Sequence, residues 1–322
     1  VHSRQVFKWL HDRQDINLSA QIVQWGNTSW MINSEAENGI VGKVMDASSN
    51  VKDEKPDISF QIQLPDEWDP NLAKKNIGIS AVVETDKCNP EWINSINQMD
   101  AVIVPSEHIK QTILNTGFVT TSLFVIPEWY FEEIDRNEIT SLDLDFDTSF
   151  NFLLVGQFTG NNSETDRKNI FYTLKWFCEA FKDDPDVGLV LKTNHGRGTL
   201  IDRQITKNKI RQILSEIRPG LFPKIHLIHG NLTSSEVAGL YTHPKIKCFL
   251  SLTRGEGFGL PLLESAACGL PVMTTNWSAH LDFLNLGKFI SVNYKLIDIP
   301  EIKVDNRIFM QGTKWADPIE DD

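Results

Sequence analysis

Short apolar runs alternate along the chain with longer stretches in which apolar residues recur every three or four positions. The short runs predict buried β-strands, and the longer stretches predict amphipathic helices. The helical pattern is plainest from Asn169 to Phe181, whose apolar face consists of Ile170, Leu174, Phe177 and Phe181. The chain is therefore expected to consist of strands connected by helices.

The individual elements follow from this pattern and from the residues that begin and end each run. Strands are predicted at Ala20 to Trp25, Ile58 to Leu64, Ile77 to Val83, Ala101 to Val104, Phe124 to Ile126, Phe150 to Val155, Val187 to Leu191, Ile225 to Ile228, Cys248 to Leu252, and from Val272 onward. Helices are predicted at Val6 to Leu10, Glu91 to Gln98, Glu107 to Leu114, Asn169 to Phe181, Ile205 to Ile217, Ser234 to Tyr241 and Pro261 to Cys268. Ser106 is expected to be an N-cap, and Gly117 to end the helix that begins at Glu107.

The order of these elements predicts the fold class. Strands that alternate with helices form parallel sheets with helical crossovers, so we expect an α/β protein with two Rossmann-like, doubly wound domains facing a central cleft. The acidic, apolar-poor stretch 129–149 is expected to be a connector between a domain at 1–128 and a domain at 150–322. Ligands are expected in the cleft, at the carboxyl ends of the strands.

Composition narrows the possible functions. The 322 residues carry a net charge of −12, which repels phosphate backbones and disfavours nucleic-acid binding. The four cysteines are scattered without a CxxC pair and are expected to be free thiols in a cytoplasmic protein. No apolar stretch reaches the roughly 18 residues of a membrane span, although peripheral association with a membrane stays open.

The densest chemical signal runs from Leu252 to Glu264 and reads Leu-Thr-Arg-Gly-Glu-Gly-Phe-Gly-Leu-Pro-Leu-Leu-Glu. A strand there enters a glycine-rich loop and then a helix with Pro261 near its first position. The free amides of such a helix start bind anions, and the two acids Glu256 and Glu264 could accept protons from sugar and ribose hydroxyls. The alternative is a structural turn whose acids favour the helix dipole.

The string Glu256-Gly-Phe-Gly-Leu-Pro-x-x-Glu264 resembles the signature of retaining GT-B glycosyltransferases of family four, the group 1 type. The resemblance implies that Glu256 is catalytic and contacts the donor sugar, and that Glu264 holds the nucleotide ribose. It also implies donor contacts from Gly257, Phe258, Gly259 and Leu260. No cofactor or metal is implied as obligatory, because a nucleoside-diphosphate sugar is the co-substrate.

A second stretch resembles the first strand and the basic loop of the same family's donor domain. It consists of Phe152 to Gly156, then Gln157, and later Asp166-Arg-Lys-Asn169. Many members have arginine where this chain has Gln157, so the cation for the diphosphate must come from elsewhere. Arg167, Lys168 and Lys192 are candidates, with Lys168 as first choice and Arg254 as a helper. The alternative for Lys168 is a solvated charge at the start of a helix.

The first half resembles the acceptor-side domain, through Val83-Glu-Thr85, Pro90-Glu-Trp92 and Asp100 to Ser106. Glu84 follows a strand, so it is expected to face the cleft and to orient or deprotonate the acceptor. The alternative is a surface carboxylate. The resemblance covers residues 55–318. The chain is expected to be trimmed at both ends, because the family adds a strand before the first helix and a helix after Trp315-Ala-Asp-Pro318.

Three weaker signals are set aside. The acidic pair within Asp143 to Asp147 precedes a strand, so it is not expected to bind a metal. His226 and His229 lie three apart on a strand and point to opposite faces. His195 follows a strand but is expected to be merely exposed.

Three functions remain from this pattern. The first is transfer of a sugar from a nucleoside-diphosphate sugar to a hydroxyl acceptor, which could be a glycan, a lipid or another glycoconjugate. The second is a non-catalytic subunit that binds sugar nucleotides. The third is a nucleotide-sugar epimerase with the same fold.

Overall fold

The computed structural model describes residues 2–23, 33–35, 38–50, 54–135, 139–140, 142–194, 196, 198–218 and 220–320. The helices are α1 (His2–His11), α2 (Ile40–Ser48), α3 (Trp92–Gln98), α4 (Glu107–Thr116), α5 (Ile170–Ala180), α6 (Leu200–Ile217), α7 (Ser234–Tyr241), α8 (Leu260–Ala267) and α9 (Leu281–Leu284). The strands are β1 (Ile58–Ile62), β2 (Lys75–Ile79), β3 (Ala101–Val104), β4 (Leu123–Val125), β5 (Phe150–Val155), β6 (Val187–Thr193), β7 (Lys224–His229), β8 (Ile246–Ser251), β9 (Val272–Thr275), β10 (Ile290–Val292), β11 (Tyr294–Asp298) and β12 (Lys314–Pro318).

Two parallel sheets organise the chain. The first has four strands in the order β1-β2-β3-β4, and the second has six in the order β10-β9-β8-β5-β6-β7. A separate antiparallel hairpin joins β11 to β12. This arrangement confirms the predicted α/β fold with two Rossmann-like halves, while the exact domain boundaries stay a prediction.

Each half has its own apolar core. In the first half, Trp92 and Ile96 of α3 pack with Val102 of β3 and with Ile109 and Ile113 of α4. The second sheet is buried on both faces, because one cluster contains Leu153 and Val190 whereas another contains Leu154 and Leu189. Alternate residues of a strand point to opposite faces, so burial of both sets means that helices cover both sides.

The predicted elements agree with the structure over most of the described chain, although β10, β11, β12 and α9 were not predicted and two differences lie near the start of the chain. Residues 20–23 of the predicted first strand lie in no strand. The side chain of Ala20 packs beside α1 and α2, and its amide donates to the Ala47 carbonyl instead of to a neighbouring strand. Trp25 of that prediction lies outside the described residues. Helix α2 was missed, since Gly42 and the β-branched Ile40 and Val41 weaken the helical preference of its sequence.

The last part of the chain returns to the first half. We call residues 299–318 the return segment; it contains the short helical turn Glu301–Lys303 and ends with β12. Its Phe309 packs against the core of the first half, and Arg307 forms ion pairs with Asp66 and Glu67. The Asp86 amide donates to the Lys314 carbonyl and the Ala316 amide to the Arg254 carbonyl, so β12 touches the chain after β2 and after β8.

Candidate functional site

A glycine-rich loop connects β8 to α8 in the second half. Gly259 is the N-cap of α8 and has a φ of 96°, a left-handed conformation that favours glycine. Within the described part of the chain, the amides of Gly257, Phe258, Gly259 and Leu260 donate to no acceptor. Unbonded amides at a helix start attract anions, so this loop offers a phosphate or carbonyl oxygen a set of donors.

Two glycines of the loop are also required by packing against the first half. A Cβ at Gly255 would clash with the Glu84 carbonyl, and one at Gly257 would lie 3.0 Å from the Ala81 Cβ. The loop and the segment after β2 therefore touch backbone to backbone. Val82 in that segment has a φ of 41°, which is strained for a β-branched residue. The sequence analysis explained these glycines only by the close approach of a ligand, because a contact between the two halves cannot be read from the sequence.

Glu256 is buried in the loop and bonded to Lys168. The Lys168 Nζ lies 2.5 Å from Oε1 and 2.7 Å from Oε2 of Glu256. Burial alone would raise the pKa of Glu256, but the charges of Lys168 and Arg167 outweigh it and lower the pKa to about 2. The Ser278 hydroxyl also accepts from the Glu256 amide and donates to its carbonyl, both at 2.7 Å. The carboxylate is thus ionised and fixed in place.

Arg167 connects the two halves at this point. Its Nη2 lies 3.1 Å from the Oε1 of Glu84, and its Nη1 donates to the Gly255 carbonyl at 2.5 Å. Nη1 also lies 3.9 Å from Glu256. Glu84 does face the site, as expected for a residue after a strand, and its side chain is only 25% exposed. Two cations and two carboxylates therefore alternate across the junction of the halves.

The loop before α5 places these cations. Asp166 is fully buried and accepts hydrogen bonds from the Ile170 amide and from the amide and hydroxyl of Thr159. The Thr159 hydroxyl accepts in turn from the Lys168 amide at 3.2 Å. Lys168 is held beside Glu256 by this arrangement and is 23% exposed, so it is not a fully solvated charge.

Lys192 and Arg254 lie apart from this group. The Lys192 amine donates to the Asn194 side chain and to the Gly230 carbonyl, and burial lowers its pKa. Gly156 donates its amide to the Lys192 carbonyl, and Gln157 is exposed.

The Arg254 guanidinium is buried and engaged in other contacts. It pairs with Asp317 at 3.1 Å and donates to the carbonyls of Ser163, Glu164 and Asp166. These contacts do not support its expected role as a helper cation for a ligand, because its donors point at the protein.

Glu264 lies on α8 behind the loop, where it accepts a hydrogen bond from the Tyr241 hydroxyl at 2.9 Å. Burial raises the pKa of Glu264 to about 7, although the bond from Tyr241 acts in the opposite direction. A carboxyl that titrates near neutrality can accept from or donate to a hydroxyl. Tyr241 was not identified as a site residue from the sequence, because only tertiary packing brings the end of α7 beside Glu264.

Three further residues make contacts around the glycine loop that the sequence did not predict. Ser106 caps α4, as expected, and its hydroxyl also donates to the Gly257 carbonyl at 3.2 Å. His280 is fully buried behind Gly259, and burial lowers its pKa. His108 of α4 meets Trp277 edge to face. The contacts of Ser106 and His108 join the two halves beside the glycine loop.

The signals that were set aside find other partners in the structure. Asp145 pairs with Lys245, and Asp147 lies near His226. In the described ranges no group of three acidic, histidine or cysteine side chains could hold a metal ion. His195 lies outside the described residues. The four cysteines are free, and no described helix is long and apolar enough to span a bilayer.

Comparisons with known proteins give a family match for one stretch of the sequence and a shared fold for most of the chain. The family described as Glycosyl transferases group 1 matches residues 221–297, the stretch that contains the glycine loop and both acids. No curated protein sequence matches the chain. A glycosyltransferase from Rickettsia africae ESF-5 is 16% identical, with 81% of this chain and 69% of that chain covered and a TM-score of 0.57.

A second solved structure has the same architecture. It is described as trehalose-6-phosphate from E. coli bound with UDP-2-fluoro glucose, and is 11% identical with a TM-score of 0.54. The match covers 79% of this chain but only 65% of that chain, and a pneumococcal O-GlcNAc transferase is covered over 37% of its length. At such identity the likeness shows the fold alone. The sequence match to group 1 glycosyl transferases is thus limited to residues 221–297, and the likeness to solved structures shows that the chain shares their two-domain GT-B architecture.

Proposed function

We propose that the chain transfers a sugar from a nucleoside-diphosphate sugar to a hydroxyl acceptor, with retention of configuration. The observation that carries this proposal is the position of Lys168 and Arg167 beside an ionised Glu256, next to four amides without acceptors. Sugar nucleotides present the two chemistries that such a site fits, namely a polyanion and a ring of hydroxyl groups.

The cations act on the leaving group. When the bond between the sugar and the diphosphate breaks, negative charge grows on the diphosphate oxygen that departs. Arg167, Lys168 and the amides at the start of α8 stabilise that charge, and they do so best because they are fixed before the reaction. These groups supply the positive potential themselves, so the proposal includes no obligatory metal ion.

The carboxylates act on hydroxyl groups. Glu256 is ionised and rigidly held, so it accepts hydrogen bonds from the donor sugar and keeps the anomeric carbon in place. Glu264 accepts from the ribose. Glu84 belongs to the acceptor side and orients or deprotonates the attacking hydroxyl.

A second candidate is a non-catalytic subunit that binds sugar nucleotides. Gln157 favours it, since this neutral side chain stands where many family members have an arginine. Both candidates require the same donor site, so binding alone does not separate them.

The test begins with a panel of nucleoside-diphosphate sugars and measures thermal stabilisation of the protein, because a ligand of the folded state raises the melting temperature. The donors that stabilise are then assayed for hydrolysis, epimerisation and transfer with wild type and Glu256→Gln. Turnover that disappears in the variant supports the transferase. Binding without any turnover supports the subunit, and epimerised donor supports the epimerase. No stabilisation by any donor overturns all three.

A further inference from the structure

The loop that carries Arg167 and Lys168 is bonded to Arg254 and to residues of the return segment. Arg254 follows β8, and its side chain is only 3% exposed. Its Nη1 donates to the carbonyls of Ser163 at 2.8 Å, Glu164 at 3.0 Å and Asp166 at 3.3 Å. Three carbonyls within residues 163–166 of that loop are therefore bonded to a single guanidinium nitrogen.

The counter-ion of Arg254 comes from the return segment. Asp317 Oδ1 accepts from Nη2 at 3.1 Å and from Nε at 3.3 Å. The Arg254 carbonyl also accepts from the Ala316 amide, and the Arg254 amide donates to the Arg167 carbonyl. A buried guanidinium needs a charged partner, so Asp317 holds the Arg254 guanidinium in the orientation in which it donates to the loop carbonyls.

A second contact from the same segment reaches the same loop. Lys303 donates from its Nζ to the Thr159 carbonyl at 3.1 Å, and the Thr159 amide and hydroxyl both bond Asp166. The Lys303 amine lies 4.9 Å from the centre of the Phe309 ring, which packs against the core of the first half. The return segment thus holds the loop directly at Thr159 through Lys303, and indirectly at residues 163–166 through Asp317, the counter-ion of Arg254.

We propose that Asp317 and Lys303 are positioning residues that hold Arg167 and Lys168 where a diphosphate meets them. We call the contacts of Asp317 with Arg254 and of Lys303 with Thr159 the tether. The inference deepens the proposed function and rests on it for the identity of the ligand, but the tether is a property of the protein without a ligand. Side chains that bind a charged group must be held to within a fraction of an ångström, and two long cationic side chains on an unfastened loop would not be.

Two measurements test the proposal on Asp317→Asn and on Lys303→Met, each of which keeps the size of the side chain. Amide hydrogen exchange of the free protein is expected to become about tenfold faster in residues 157–168 and to stay unchanged in the cores. Affinity for a nucleoside diphosphate is expected to fall about tenfold, while affinity for the corresponding nucleoside stays unchanged. A merely structural lesion would weaken both ligands alike.

The hairpin offers a matched control. Asp298 pairs with Lys314 at 4.0 Å on the same two strands but is 71% exposed, so Asp298→Asn is expected to change neither measurement. In the Lys168→Met background, Asp317→Asn is expected to have a smaller effect on diphosphate affinity than in wild type, because one of the two cations that Asp317 positions has been removed.

The outcomes separate the two proposals. Faster exchange in the loop together with no nucleotide affinity in wild type would keep the tether and overturn the proposed function. Unchanged exchange in both variants would overturn the tether, whatever the wild type binds. If Asp317→Asn does not fold, Lys303→Met decides the question, since its side chain is only partly buried.

Discussion

Glu84 and Arg167 form an ion pair across the junction of the two halves, with 3.1 Å between Oε1 and Nη2. This carboxylate of the first half thus neutralises a cation that the proposed mechanism assigns to the diphosphate. A bound diphosphate would compete with Glu84 for Arg167, so occupation of the donor site would leave Glu84 freer to act on an acceptor.

Replacing this carboxylate should separate its two functions. In Glu84→Gln, kcat for transfer is expected to fall about 100-fold if Glu84 serves the acceptor as a base. The KM for the donor should not rise, because Arg167 loses a competitor rather than a partner for the diphosphate. Steady-state kinetics with varied donor and fixed acceptor measures both. A raised donor KM at unchanged kcat would show that Glu84 only holds Arg167 in place.

Removing the charge of Lys168 should destabilise the protein through Glu256. The pKa of about 2 lies below the ordinary 4.5, so the ionised pair contributes stability above pH 4.5 and loses it as the pH falls toward 2. Lys168→Met is expected to lower the free energy of unfolding by about 3 kcal/mol at pH 7 and by less at pH 3. Urea unfolding at both values measures this.

An exposed lysine provides the control for that experiment. Lys175 is 38% exposed and lies 3.8 Å from Glu179 one helical turn away. Lys175→Met is expected to change the free energy of unfolding by less than about 0.5 kcal/mol. Equal effects of the two substitutions would contradict a special role for the buried pair.

Glu264 should make stability depend on pH in the opposite direction. Its pKa of about 7 lies above the ordinary 4.5, so the folded state binds the proton more tightly and loses stability as the pH rises from 4.5 to 7. The free energy of unfolding of Glu264→Gln, relative to that of wild type, should therefore rise by on the order of 2 kcal/mol between pH 5 and pH 8. Thermal unfolding across that range tests the sign. A difference that does not vary with pH would refute the assignment.

The glycine loop should not tolerate a methyl group at its contact with the first half. Gly255→Ala is expected to lower the free energy of unfolding by about 1–3 kcal/mol, because the new Cβ clashes with the Glu84 backbone. Gly287→Ala serves as the control, since a Cβ at Gly287 meets nothing within 4 Å. Comparable stability of the two variants would mean that the halves can separate freely at this point.

Local patterns were sufficient for most of the architecture. The strand predictions Ala101 to Val104 and Phe150 to Val155 coincide with β3 and β5, and the helix Ser234 to Tyr241 coincides with α7. These elements combine strong apolar periodicity with unambiguous caps, such as Thr233 before α7. The hairpin of β11 and β12 was missed, because β11 is mostly exposed and the two strands pair across a connection of 15 residues, 299–313.

The sequence by itself determined the α/β alternation and the string from Glu256 to Glu264, since both depend on neighbours a few residues apart along the chain. Only the tertiary structure decided which cation meets Glu256, and it selected Lys168 while turning Arg254 toward Asp317. Charges far apart in sequence pair according to distance and burial, and both are set by how the loops pack once the two halves have folded.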